Sequence, residues 1–318
     1  MQYYLIALLA VVGLAVNFSI TKVYQNKTGT GLRISVLFNI ITGAFTAIVF
    51  FFINGFMNGF SFPFTPFSLL MAVLMTVFCG TYVMIGFRIM AMGDMAVYTL
   101  FLMLGGMTLP YFYGLIFLNE GAHPESLIFP EGYVNGLRVV GLVLMVVAIV
   151  LSGLGNQKDK KKKGSSLFFL LCAAVFLLNG CVSITSKIHQ LPENADRAVT
   201  AQGFVMLAAI VRVIIFSVVY LIIRLRDRRL PAESRPASPK LSLGVVGIVL
   251  ASALVDGTSY LLQLIGAAHL PATVLYPLVT GGSVVLTALA GRLLFKEKLN
   301  ARSLIGVLLC FVSTLFFL

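Results

Sequence analysis

The chain has 318 residues and a formal net charge of +12; 59% of its residues are hydrophobic and only 11% are charged, with a mean hydropathy of +1.00. A soluble domain carries about a quarter charged residues, so the composition excludes an ordinary soluble protein. The three histidines lack the spacing of a metal site, and the sequence contains no Gly-x-Ser-x-Gly, P-loop or Gly-x-Gly-x-x-Gly motif. We therefore predict no enzyme, no metal and no cofactor.

The apolar residues are grouped into ten segments, each close to the roughly 20 residues that a helix needs to cross the hydrocarbon core. The first segment is predicted to be retained, because Met-Gln-Tyr-Tyr lacks the basic start of a signal peptide. A helix satisfies its own backbone hydrogen bonds in lipid, so we predict an all-α, polytopic membrane protein with ten transmembrane helices. In chain order the predicted spans are 3–21, 34–53, 67–87, 95–118, 137–154, 167–186, 200–223, 242–265, 272–295 and 303–318.

The basic residues are distributed unequally between the loops on the two sides. The loops after odd-numbered spans hold 19 of the 23 Lys and Arg residues, whereas Arg138, Lys187 and Arg197 are assigned to the other side. Cytoplasmic loops are enriched in Lys and Arg, so this bias predicts cytoplasmic odd-numbered loops and both termini outside. Basic loops beside spans indicate contact with a membrane surface, so no nucleic-acid partner is predicted.

An internal repeat relates the two halves of the chain. Ser-Ile-Thr-Lys ends the first span at Lys22, and Ser-Ile-Thr-Ser-Lys ends the sixth at Lys187, each followed by Gln three residues later. Further correspondences are Gly105-Gly106 with Gly281-Gly282, Gly80 with Gly257, Glu120 with Glu297, and Val140-Gly141 with Ile305-Gly306.

This order predicts two five-helix repeats, 1–154 and 167–318, joined by a Lys-rich linker at 155–166. Because five is odd, the second repeat is inverted in the membrane relative to the first. Inverted repeats that enclose a shared cavity are typical of secondary transporters.

The five-plus-five layout, the polar end of the first span at Lys22, and the glycine-rich fourth and ninth spans that close at Glu120 and Glu297 resemble the EamA-like branch of the drug/metabolite transporter superfamily. The resemblance implies a multi-pass transporter of the cell membrane that moves a small polar metabolite or drug-like solute by alternating access. It also implies cytoplasmic termini, opposite to the charge bias, so orientation stays open. The alternatives are a lipid flippase or channel on the same scaffold, and a non-transporting membrane scaffold.

Two charged residues, Arg212 and Asp256, lie deep within predicted spans. An Arg or Asp at a helix centre costs about 2.5–3.5 kcal/mol on insertion scales, so each needs a function or a partner. In the functional interpretation Arg212 binds an anionic or carboxylate group, and Asp256 carries a proton or binds a cation. In the structural interpretation the two form an ion pair that lets both enter the membrane.

Uncharged polar side chains complete the predicted substrate-binding site. Tyr260 and Gln263 follow Asp256 by four and seven residues, which places all three on one helix face. The other candidates are Asn17, Asn39, Tyr98, Asn179, Ser183 and Tyr276. The alternative use of such groups is an interhelical hydrogen bond, at about 0.6 kcal/mol each.

Three further expectations concern glycine, proline and lysine. The glycine pairs of the fourth and ninth spans predict close helix packing. Pro110 and Pro277 predict a kink or an opened turn in the same spans. Lys22 and Lys187, at span ends, are expected to extend to the membrane interface.

Overall fold

The computed structural model describes residues 1–29, 31–92, 95–120, 134–155, 166–229, 242–296 and 301–318. Within these ranges the chain forms ten α-helices, one for each predicted span, and a 3-10 turn at Pro192–Asn194. The helices are α1 Gln2–Thr28, α2 Leu32–Asn58, α3 Pro66–Met92, α4 Met95–Phe117, α5 Val134–Gly155, α6 Ser166–Gln190, α7 Ala201–Arg228, α8 Leu243–His269, α9 Ala272–Phe295 and α10 Ala301–Leu315. The greater part of the predicted linker, 156–165, lies outside the described residues.

Seven of these helices are long and apolar enough to cross a membrane: α1, α2, α3, α6, α7, α8 and α9. The other three contain shorter apolar segments, Phe101–Phe117, Gly136–Leu151 and Leu304–Leu315. Large apolar side chains stand on the outside of the bundle, with Leu5 57% exposed and Phe56 78% exposed. Lipid is the solvent that such a surface requires, so the chain is a multi-pass integral membrane protein, as predicted.

The helices pack mainly across the two halves of the chain. Helix α1 packs against α8 and α9, α2 against α7 and α8, and α5 against α10. Helix α6 packs against α3 and α4, while α3 also contacts α7 and α4 also contacts α9. Among the described helices of the first half, the substantial contacts within that half are those of α4 with α3 and α5. Each half therefore supplies most of the packing surface that the other needs.

Glycines allow the closest of these contacts. A Cβ atom at Gly105 would overlap the backbone carbonyl of Phe176 on α6, and one at Gly281 would overlap the side chain of Met145 on α5. The glycine pairs therefore pack helices together, which confirms the sequence prediction.

The two span prolines lie inside helices that continue on both sides of them. Helix α4 runs through Pro110 and α9 runs through Pro277, so neither turn is opened, and the alternative of a kink stays a prediction. Proline lacks the N–H that would bond the carbonyl four residues earlier, which for Pro110 is that of Gly106. The Ser183 hydroxyl donates to this carbonyl at 3.3 Å. A neighbouring helix thus satisfies the freed backbone group, and the helix does not need to open.

Arg138 does not lie in an extracytoplasmic loop, where the charge count had placed it. It belongs to α5 and is 3% exposed, with Tyr4 and Tyr111 beside its guanidinium group. A buried arginine contributes nothing to the loop charge, so the correction strengthens the asymmetry between the two sides.

Candidate substrate site

A cavity of about 130 Å³ lies between helices from both halves, bordered mainly by α2, α3, α6, α7 and α8. At about 30 Å³ per water, it has room for roughly four water molecules. Its polar wall consists of Arg212 from α7 and Asp256, Tyr260 and Gln263 from α8. The helical spacing noted in the sequence therefore does bring the three α8 side chains to one surface.

Arg212 and Asp256 face each other across this cavity. Arg212 Nη1 lies 3.4 Å from Asp256 Oδ2, and the two side chains are 26% and 29% exposed. A tight charge-assisted hydrogen bond measures about 2.7–2.9 Å, so this pair is loose. In the described part of the chain Arg212 has no other hydrogen-bond partner. A guanidinium group has five N–H donors, so most of them remain available to a ligand.

Asn17 holds the Asp256 carboxylate from the opposite side. Its Nδ2 donates to Asp256 Oδ1 at 2.9 Å, and its own Oδ1 accepts a hydrogen bond from Ser252 Oγ at 2.7 Å. The second bond fixes the orientation of the amide. Asn17 therefore positions Asp256, and this contact links the first half of the chain to the second.

Tyr260 and Gln263 provide the uncharged polar groups of the cavity. The Tyr260 hydroxyl is 2.9 Å from Ser186 Oγ and 2.8 Å from Met75 Sδ, so it connects the cavity to α6 and α3. The Gln263 amide has no hydrogen-bond partner within the described ranges, although it lines the cavity. It is thus free to bond a solute.

The remaining predicted residues lie outside the cavity lining. Asn179 Nδ2 donates to the Leu102 carbonyl at 2.7 Å, and the buried Tyr276 hydroxyl donates to the Ser183 carbonyl at 2.6 Å. These bonds, with that of Ser183 to α4, join α6 to its neighbours. Asn39 bonds the Ser35 carbonyl within α2 at 2.9 Å. The side chain of Tyr98 lies outside the described part of the structure.

Sequence reasoning missed the α3 wall of the cavity. Met75, Thr76 and Cys79 line it. Thr76 and Cys79 are three residues apart, so they share a helix face. Their spacing was readable in the sequence, but neither residue type distinguishes a cavity wall from ordinary packing.

Lys187 does not extend to the membrane interface, contrary to expectation. It is 4% exposed, and its Nζ lies 3.2 Å from Glu120 Oε1. The ammonium group also donates to the carbonyls of Ala267 and Leu270, at 2.9 and 2.8 Å. Three oxygen acceptors replace the water that the interface would offer, which removes the reason for the side chain to extend outward.

A larger groove, of about 530 Å³, lies between α1 and α9. Its lining is apolar apart from Ser19. Lipid chains suit such a surface, and it offers almost no polar group to a solute. The smaller, polar cavity is therefore the candidate site.

Comparison with known proteins finds a family match within the second half of the chain. Residues 195–318 match the model of the EamA-like transporter family, which is part of the drug/metabolite transporter superfamily. No curated protein matches the chain. A solved structure named only "Crystal structure of protein" is similar over 99% of this chain and 96% of its own, with a TM-score of 0.70 and 14% identity. At that identity the similarity shows a shared fold.

Proposed function

We propose that this protein is a secondary transporter of the cell membrane, because residues 195–318 match the model of the EamA-like transporter family. It moves a small polar solute with an anionic group by alternating access. The observation that carries this proposal is the cavity between the two halves, where Arg212 and Asp256 form a loose ion pair.

Helix packing supports the proposal of ten spans in two inverted repeats, 1–154 and 167–318. If the two repeats are equivalent, each helix corresponds to the one five places along the chain, so that α1 corresponds to α6 and α3 to α8. The contact of α1 with α8 then corresponds to that of α6 with α3, and both contacts exist. The same correspondence relates α1–α9 to α6–α4 and α2–α8 to α7–α3, which also exist. The pairs α2–α7, α4–α9 and α5–α10 map onto themselves. Such a pattern is expected of two halves related by an axis in the membrane plane.

The chemistry of the cavity supports an anionic or zwitterionic solute. The spare N–H donors of Arg212 suit a carboxylate or phosphate group, which a guanidinium binds in bidentate fashion. Gln263 can bond a second polar group of the solute. A solute anion at Arg212 competes with Asp256 for the guanidinium. Asp256 then binds either a proton or a positive group of the solute, which couples the two binding events.

Transport into proteoliposomes tests the proposal. Purified protein is offered pooled carboxylates, phosphates and amino acids at an imposed pH gradient, and solutes retained in the vesicles are identified by mass spectrometry. We expect saturable accumulation of a small anionic or zwitterionic solute, accelerated by the same solute on the opposite side. Flux that neither saturates nor exchanges would indicate a channel, and movement of labelled lipid alone would indicate a flippase.

The charge distribution predicts the orientation. A reporter fused after Leu318 should behave as extracytoplasmic, and one inserted near Lys160 as cytoplasmic, because most Lys and Arg residues lie in the odd-numbered loops. Paired alkaline phosphatase and fluorescent protein fusions at both positions would measure this. The reverse result at both positions would establish cytoplasmic termini, as the family resemblance implies.

A further inference from the structure

A buried cluster of charges joins four helix ends on one face of the bundle. Glu120 follows the end of α4, and Lys187 lies in the last turn of α6. Their side chains are 15% and 5% exposed. Neither group belongs to the cavity described above, so the transport site does not account for them.

The two charges are complementary to the helix ends that they meet. Lys187 donates to the carbonyls of Ala267 and Leu270 at the end of α8, where the helix dipole is negative. The Ala272 N–H at the start of α9 donates to Glu120 Oε2, where the dipole is positive. One ion pair thereby holds α4, from the first half, to α6, α8 and α9, from the second.

A short path connects this cluster to the cavity. Ser186, the residue before Lys187, bonds the Tyr260 hydroxyl that lines the cavity. Along α8, Asp256 and Ala267 are 11 residues apart, or about 16 Å at 1.5 Å per residue. The cluster therefore lies beyond the solute, between the cavity and the face of the membrane at which α6 ends.

Within the described residues, the second half contains a substantial helix contact that the first half lacks. Helix α6 packs against α8. The corresponding helices of the first half, α1 and α3, make no substantial contact with each other within the described residues.

We propose that Lys187 and Glu120 form a latch that closes the cavity toward the membrane face at which α6 ends, and that the latch opens when solute passes through that face. This inference rests on the proposed transport function. It assigns the two residues a gating role, since they lie too far from Asp256 to bind the same small solute.

Cys79 provides a natural reporter of the latch, because it lines the cavity. In a background with Cys172, Cys181 and Cys310 replaced by Ala, a membrane-impermeant thiol reagent is added to either side of oriented vesicles. We expect Cys79 to be protected from reagent added at the face at which α6 ends. The double variant Glu120→Gln with Lys187→Met should raise the rate from the protected face tenfold or more.

The matched control is Asp227→Asn, which breaks a different ion pair between the halves, that of Arg33 with Asp227. This pair joins the start of α2 to the end of α7, so the variant should leave Cys79 protected from the latch face. Monodisperse elution in detergent reports folding in every variant.

Equal labelling of the parent and the double variant from the latch face would overturn the latch, as would rapid labelling of the parent from that face. The measurement needs no transported solute. Failure of the latch proposal can therefore be distinguished from failure of the proposed transport function.

Discussion

Replacement of Asp256 by Asn should abolish accumulation of solute driven by a pH gradient and leave exchange of solute across the membrane intact. An amide keeps the shape of the carboxylate and can still accept the hydrogen bond from Asn17, but it cannot carry a proton. One pH unit is worth about 1.4 kcal/mol per proton, or a tenfold concentration ratio, and this factor should disappear. Uptake and counterflow in proteoliposomes measure the two quantities separately. Accumulation by the Asn variant at the parental rate would remove Asp256 from the mechanism.

A paired substitution separates coupling from a purely structural ion pair. Arg212→Leu alone leaves the Asp256 carboxylate without its charged partner, although Asn17 still donates to it, and should cost stability at the lower end of about 3–5 kcal/mol. Arg212→Leu with Asp256→Leu removes both charges and should restore most of that stability. We expect the double variant to fold and to be inactive in transport. Transport at the parental rate would show that the pair serves folding alone.

Gly105→Ala should disrupt the packing of α4 against α6. The added methyl group overlaps the backbone carbonyl of Phe176, and a backbone atom cannot move aside as a side chain end can. We expect a loss of about 3 kcal/mol, at the upper end of the usual range for overpacking. Thermal unfolding in detergent, together with the monodisperse yield after chromatography, measures this effect.

Gly247→Ala is the matched control, because Gly247 lies within α8 and has no atom within 4 Å of the added Cβ. Alanine favours a helix over glycine by roughly 1 kcal/mol, so this variant should be as stable as the parent or more stable. Similar losses in both variants would show that α4 and α6 do not approach as closely as described.

The helices could be predicted from sequence because lipid imposes a length that apolar runs must meet. The prediction of where each helix ends was poorer. Helix α1 continues from the predicted end at residue 21 to Thr28, and α6 continues to Gln190, past Lys187. Hydropathy reports where a helix leaves the hydrocarbon, whereas the backbone stays helical through the polar residues beyond it.

Only the part of the candidate site that lies on a single helix could be predicted from the sequence. Asp256, Tyr260 and Gln263 share a face because of their spacing alone. The partner of Asn17 lies 239 residues away, and spacing carries no information on contacts between distant helices. Tyr276 and Asn179 were chosen by the same criterion of polarity, yet their polar groups bond neighbouring backbone. Residue type does not separate a ligand contact from an interhelical bond.

The cross-half packing has a consequence for synthesis at the ribosome. Helix α2 has its principal partners in α7 and α8, and α1 has them in α8 and α9. Both enter the membrane long before those partners are translated, and lipid must cover their packing faces in the meantime. Assembly is therefore dominated by distant contacts, which form slowly and leave intermediates exposed. We expect the nascent first half to be a substrate for membrane quality control until the last helices arrive.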